Sequence, residues 1–152
     1  MSRLLVRRFL EEDFDPVTRL WRRAREVAIP ELTARLGYSF DMDCDFFRRH
    51  IIPACELWVA DQNGRPVGFL GLHNDFVNYV YVDPDFHRQG IGTAFLSLAR
   101  RGSPGHLWLY THQANKMART FYEKNGFIAE RFGISPPPES EPDVEYHWRP
   151  VP

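Results

Sequence analysis

Residues 76–111 constrain the chain more than any other stretch. Phe76 to Val82 (FVNYVYV) is rich in aromatic and β-branched residues and is bounded by Asp83-Pro84, which reads as a strand. Gly90 to Arg101 then sets Ile91, Ala94, Phe95, Leu98 and Ala99 on one face, the spacing of an amphipathic helix stopped by Gly102. His106 to Thr111 is a strand again. A strand–helix–strand succession of this length predicts two parallel strands joined by a right-handed crossover.

The flanking segments add antiparallel material. Leu4 to Phe9 reads as a first strand, followed by a long helix from about Pro16 to Leu36 that Pro30 is able to break and Gly37 closes. Tyr38 to Asp45 reads as a loop, and Asp45 to Ile52 as a short helix ended by Pro53. Glu56 to Ala60 and Pro66 to His73 form a hairpin about Asn63-Gly64. Asn115 to Asn125 is a helix closed by Gly126, and Phe127 to Phe132 and Val144 to Trp148 are the last strands. Between these two lies a polar, proline-rich connector, Ser135 to Pro142. Its expected form is a stiff, solvated, extended segment, with a loop at the substrate entrance as the functional alternative. The order predicts an α/β chain with a mixed sheet covered by helices, in one domain spanning residues 1–152.

Composition narrows the function classes. A net charge of −1 offers no general attraction to nucleic acid or to an anionic membrane. No apolar run approaches the ~20 residues of a membrane span, and the N-terminus lacks a secretory pattern, so a soluble, cytoplasmic protein is expected. Cys44 and Cys55 are too few for a disulfide scaffold. The six His residues show no metal-ligand spacing, so no metal is expected. Arg22, Arg23 and Arg25 read as a solvated helix face, and Asp41, Asp43 and Asp45 as a solvated acidic loop.

Two constellations carry chemistry. In Val82-Asp-Pro-Asp-Phe-His-Arg-Gln-Gly-Ile-Gly-Thr93 a strand ends, a loop follows, and a helix opens on Gly90 and Gly92. The first turn of a helix leaves N–H groups unpaired and partially positive, which suits a diphosphate, and Arg88 is placed to add a charged contact. Glycines used for helix–strand packing alone would give the same pattern. A dinucleotide loop of the Rossmann kind fits poorly, because Phe95 stands where its third glycine belongs. In Asn115-Lys-Met-Ala-Arg-Thr-Phe-Tyr-Glu-Lys-Asn-Gly-Phe127, Asn115 is placed to cap the helix, and Tyr122 lies two turns later on the same side. A capping Asn and an inward-packed Tyr would suffice to explain this segment.

Together, VGFLGL, YVYVDPDFHRQGIGTAFL and NKMARTFYEKNGF, in this order and spacing, resemble the GNAT superfamily of N-acetyltransferases from about Leu57 to Phe132, and more loosely its short bacterial YjaB-type members. The resemblance implies a mostly antiparallel, twisted sheet of about seven strands with a central parallel pair and about four flanking helices. It implies acetyl-CoA lying where the parallel strands diverge, and an amine as acceptor. Main-chain groups of the Val80–Tyr81–Val82 strand would pair with pantetheine, and the Val80 amide would face the acetyl carbonyl. The His87-Arg88-Gln89-Gly90-Ile91-Gly92-Thr93 turn would hold the pyrophosphate, through the amides of Gln89, Gly90, Gly92 and Thr93. Asn115 would touch the cofactor arm, and Tyr122 would protonate the departing sulfur. His87 departs from the Gln or Arg usual at its place, so side-chain help to the phosphates passes to Arg88.

These roles predict direct attack of the amine on the thioester within a ternary complex, without an acyl-enzyme, since neither cysteine lies in a nucleophile motif. A lysine-like amine of pKa ~10.4 must first lose a proton. The family often carries Glu where Asn78 stands, and Asn is no base. Asp75, His73, His112 and Glu145 are nearby candidates, none singled out. The alternative to an enzyme is a non-catalytic acyl-CoA-binding or sensory module. The acceptor and the oligomeric state stay open.

Overall fold

The computed structural model describes residues 3–152. Strand β1 (Leu4–Arg8) leads through a short 3-10 turn into α1 (Phe14–Ala28), α2 (Pro30–Leu36) and α3 (Phe40–Phe46). A π-helical stretch, Phe47–Ile51, and a last turn, α4 (Ile52–Ala54), follow. Then come β2 (Glu56–Gln62), β3 (Arg65–His73), β4 (Phe76–Val82), α5 (Ile91–Gly102), β5 (Leu107–His112), α6 (Lys116–Lys124), β6 (Ile128–Ile134) and β7 (Pro142–Trp148). The strands form one seven-stranded sheet in the order β1-β2-β3-β4-β5-β7-β6. Every pairing is antiparallel except β4 with β5. Among the described residues no helix is long and apolar enough to cross a membrane.

Helices cover the sheet from both sides. On one side α1 buries Val17, Leu20 and Trp21 against Phe47, Ile51, Val59 and Phe69. On the other, Ile91, Phe95, Leu96 and Ala99 of α5 pack with Leu70, Leu107, Leu109, Val144 and Tyr146. At the first junction Arg7 donates to both oxygens of buried Asp13, at 2.8 and 2.9 Å, and the Leu10 amide donates to the same carboxylate. Burial alone would lift the Asp13 carboxyl, but these donors outweigh it and hold it below the usual range.

Three readings of the α1–α3 region are corrected. The 16–36 helix is two helices: Ile29 leaves helical geometry and Pro30 opens α2, where a missing N–H costs nothing. Residues 40–46 are helical, not a loop. Ser39 accepts from the Met42 amide as an N-cap, and the following π stretch carries the chain on to α4, so the flanking helices number more than four. Asp43 is not solvated. It is buried between Arg22 at 2.7 Å and Arg25 at 2.6 Å, while Arg23 pairs with buried Asp83. The arginine run on α1 is therefore an ion-pair seam clamping α3 on one side and the end of β4 on the other.

Candidate active site

The site begins with a defect in the sheet. The parallel strands β4 and β5 pair only at Phe76 and Trp108, next to a bond from the Trp108 amide to the Asp75 carbonyl. Above that point they separate. On its other edge, β4 stays in register with β3 but skips Asn78, so the strand bulges there. Two cavities occupy the space so opened. One, of about 1250 Å³, lies against α1–α3 and the exposed face of β5, β7 and β6. The other, of about 580 Å³, lies between the end of β4 and the N-termini of α5 and α6. They meet at Ala28, Val80, Tyr81, Asn115, Ala118 and Tyr122.

The smaller cavity gathers the expected binding residues. Val80, Tyr81, Val82, His87, Arg88, Gly90, Ile91, Gly92, Thr93, Asn115 and Tyr122 all line it; Gln89 does not. The Tyr81 ring stacks on Phe69 at 5.6 Å, and the Ile91 side chain is buried in the core. Gly90 has φ +79°, a conformation that favours glycine, and it caps α5 without side-chain help, leaving the first-turn amides without a side-chain partner. Gly92 serves packing as well as approach, since a Cβ there would sit 2.8 Å from the Phe121 ring. Arg88 also has positive φ, at +63°, and its side chain is exposed. The His87 ring meets the Val82 carbonyl at 3.2 Å and so braces the loop.

On α6, Asn115 caps the helix by accepting from the Ala118 amide at 3.1 Å. Tyr122 is buried beside Phe121, Phe127 and Tyr146. Burial, aided by the neighbouring Tyr81, pushes its phenol far above the usual range, so it stays protonated. Both the packing role and the exposure to a cavity are therefore present in one side chain. Sequence reasoning passed over Lys116 and Lys124, which line the same cavity from the two ends of α6. Their signal was scarcity, because they are the chain's two lysines among 19 basic residues.

The larger cavity sorts the candidate bases. His73 lies outside both cavities, with its ring against Asn74. Asp75 and Glu145 are the two ends of one chain. Asp75 meets His106 at 2.8 Å, His106 meets His147 at 2.8 Å, and His147 meets Glu145 at 2.7 Å. Two neutral imidazoles supply two N–H protons for these three gaps, so the complete chain carries one more. The His106 and His147 bonds hold the Asp75 and Glu145 carboxyls below their usual range, and Glu145 also accepts from Tyr110. Asp75 lies outside both cavities and Glu145 lines the larger one. His112 lines the same cavity, bonded through Nε2 to Glu139 at 2.8 Å.

The proline-rich connector is a loop with a closed neck, not a free spacer. The Ser135 amide donates to the Glu141 carbonyl and the Glu141 amide to the Ser135 hydroxyl. Arg35 of α2 holds Glu139 O and Glu141, and the loop forms a wall of the larger cavity through Ser135, Pro136, Pro138 and Glu139. The segment is therefore folded against the body of the protein rather than extended in solvent.

A diverging parallel pair with an uncapped helix start at its mouth fits a thioester cofactor with a diphosphate, and comparison with known proteins agrees. The acetyltransferase (GNAT) domain matches residues 53–129, about half of the chain. The chain belongs to the GNAT acetyltransferase family. The peptidyl-lysine N-acetyltransferase YjaB of Salmonella typhimurium is 30% identical over 124 residues, covering 80% of this acetyltransferase and 81% of that protein. YjaB of Escherichia coli K12 is 27% identical over 80% of each chain. The solution structure of the apo form of E. coli YjaB superposes with a TM-score of 0.76 at 22% identity, over 96% of this chain and 97% of that one. The PaiA N-acetyltransferase of Thermoplasma acidophilum, solved with coenzyme A, gives 0.70 at 19% identity over 97% and 99%. These two structures establish the fold. The protein is thus an N-acetyltransferase that moves acetyl from acetyl-CoA to an amine.

Proposed function

We propose that this acetyltransferase acetylates a primary amine carried on a peptide or protein, a lysine side chain, by direct attack in a ternary complex. The observation that carries the reading is the meeting of a cofactor-sized cavity and a broader one at Val80, Asn115 and Tyr122. The broad cavity is open, walled by Tyr110, Phe46 and the 135–141 loop, and carries the carboxylates of Asp41, Asp45, Asp143 and Glu145, which suit a cationic side chain. The names of the relatives support the lysine acceptor.

In this reading the amides of Gly90, Gly92 and Thr93 bind the pyrophosphate, aided by Arg88, Lys116 and Lys124. The unpaired edge of β4 at Val80–Val82 aligns the pantetheine arm. The Val80 amide stabilises the oxyanion that forms on attack, the largest single contribution a fixed N–H makes in such a reaction. Tyr122, held as the neutral phenol, gives its proton to sulfur. The free thiols Cys44 and Cys55 are in keeping with a reducing, cytoplasmic setting.

The test is thiol release from acetyl-CoA with a panel of lysine peptides and small amines, with acetylated product read by mass. Release with lysine peptides and not with the α-amine of a lysine-free peptide supports the reading. Coenzyme binding with no release on any amine would turn it into a binding module.

A further inference from the structure

With Asn at position 78 the acceptor cavity lacks a carboxylate on β4, and the structure assigns the task of taking the amine's proton to His112, positioned by Glu139 from the 135–141 loop. The assignment rests on the acetyl-transfer reading above. Its first support is register. β4 and β5 run parallel from the Phe76–Trp108 pair, so equal counting brings His112 level with Val80, within about one residue's ~3.3 Å rise after the bulge. His112 lines the acceptor cavity and is absent from the cofactor cavity, so it approaches the reacting level from the side the amine must use.

The second support is the tautomer. Nε2 lies 2.8 Å from Glu139, and among the described residues Nδ1 has no hydrogen-bond partner. A carboxylate accepts only, so neutral His112 must carry its proton on Nε2 and present the Nδ1 lone pair. This is the base–orienter geometry that activates an otherwise protonated partner. Glu139 is itself fastened: its carboxyl is held below the usual range, first by the bond to His112 and also by Ser135 and Arg35, although burial opposes them. The other charged groups here are Asp143, opposite His112 on the β5–β7 ladder, and Arg35, bonded to the Glu139 carbonyl, with Glu145 of β7 and Arg131 of β6 lining the same cavity.

The protons balance. The ammonium gives one proton to Nδ1 and attacks as the free amine. The C–S bond breaks as Tyr122 protonates sulfur. The second nitrogen proton, lost from the new amide, restores the phenol, and His112 releases its proton to solvent. The net change is ammonium plus thioester to amide, thiol and one proton. His112 is a catalytic residue here and Glu139 a positioning residue.

His112→Ala is expected to lower kcat on a lysine peptide by about 10²–10⁴-fold at pH 7 while coenzyme A affinity, measured by titration, is unchanged. Its rate should climb with unit slope toward the amine's own pKa of ~10.4, where the wild type has long reached a plateau. Added imidazole should restore part of the rate, and an acceptor amine already neutral at pH 7 should show a loss at least about tenfold smaller. Glu139→Gln should shift the same profile, with Glu139→Asp recovering part of it. Independently of turnover, long-range ¹H–¹⁵N spectra of the wild-type protein should show neutral His112 as the Nε2–H tautomer. An Nδ1–H tautomer, or a His112→Ala enzyme that matches wild type at every pH and ignores imidazole, overturns the assignment. Wild-type protein that releases no thiol with any amine overturns the acetyl-transfer reading instead.

Discussion

Tyr122 shows how one side chain serves packing and chemistry together. Its ring fills a gap among Phe121, Phe127 and Tyr146, and its burial keeps the hydroxyl protonated. Tyr122→Phe keeps the ring and removes the proton. We expect kcat to fall about 10²–10³-fold, KM for acetyl-CoA to change little, and stability to move by no more than about 1 kcal/mol. Because the native pKa is raised, the native state holds this proton more tightly than the unfolded chain. The phenol's contribution to stability is full below its ordinary ~10 and is lost only as pH rises beyond that, so Tyr122 imposes no alkaline limb on the rate below pH ~10. The same logic governs Cys55. Burial pushes its thiol up to about 11, and its Sγ donates to the Ile51 carbonyl. Cys55 in the folded protein should therefore resist iodoacetamide at pH 8 and react once denaturant is added, as read by mass.

At the scale of elements, the seams between α1, α3 and the sheet decide stability. Asp43 joins Arg22 and Arg25, and Asp43→Asn removes the only carboxylate between these two guanidinium groups among the described residues. The expected cost is about 1–3 kcal/mol in a denaturant titration, below the ~3–5 kcal/mol of a fully buried pair because Arg22 keeps contact with water. Asp13 gives the acid behaviour. Its folded pKa is depressed, so its contribution is present above the unfolded value near 3.9 and fades as pH falls through the folded one. Strand β3 is tight in another way. A Cβ at Gly68 would stand 2.9 Å from the Tyr81 carbonyl and 3.2 Å from the Phe95 ring, so Gly68→Ala should cost about 1–3 kcal/mol by forcing β4 away from β3.

For the molecule as a whole, the coenzyme site depends on charge gathered from distant segments. Arg88 on the loop and Lys116 and Lys124 on α6 face one cavity. Exposed contacts of this kind contribute about 0.5–1 kcal/mol each, so Lys116→Ala with Lys124→Ala should weaken coenzyme A binding roughly 5–30-fold and flatten its salt dependence. Calorimetric titration at two salt concentrations reads both effects. A double variant with unchanged affinity and salt slope would remove the lysines from the site.

Local pattern was enough for much of this. The period-two and helical runs located all seven strands and helices α5 and α6 to within a few residues, and the glycine-opened turn and the Asn–Tyr helix marked where a cofactor belongs. Those features depend on neighbours along the chain, whose spacing is written in the residues themselves. What lay beyond reach depends on partners far apart in sequence. Residues 40–46 look polar and loop-like until Arg22 and Arg25 arrive to neutralise Asp43, and only then does a helix there bury a carboxylate cheaply. Glu139 reads as part of a stiff proline segment until folding brings it to His112, 27 residues away. The Asp75–His106–His147–Glu145 chain likewise exists only because β5 and β7 became neighbours. Charge pairing and proton position follow distances in space, and no one-dimensional spacing encodes them.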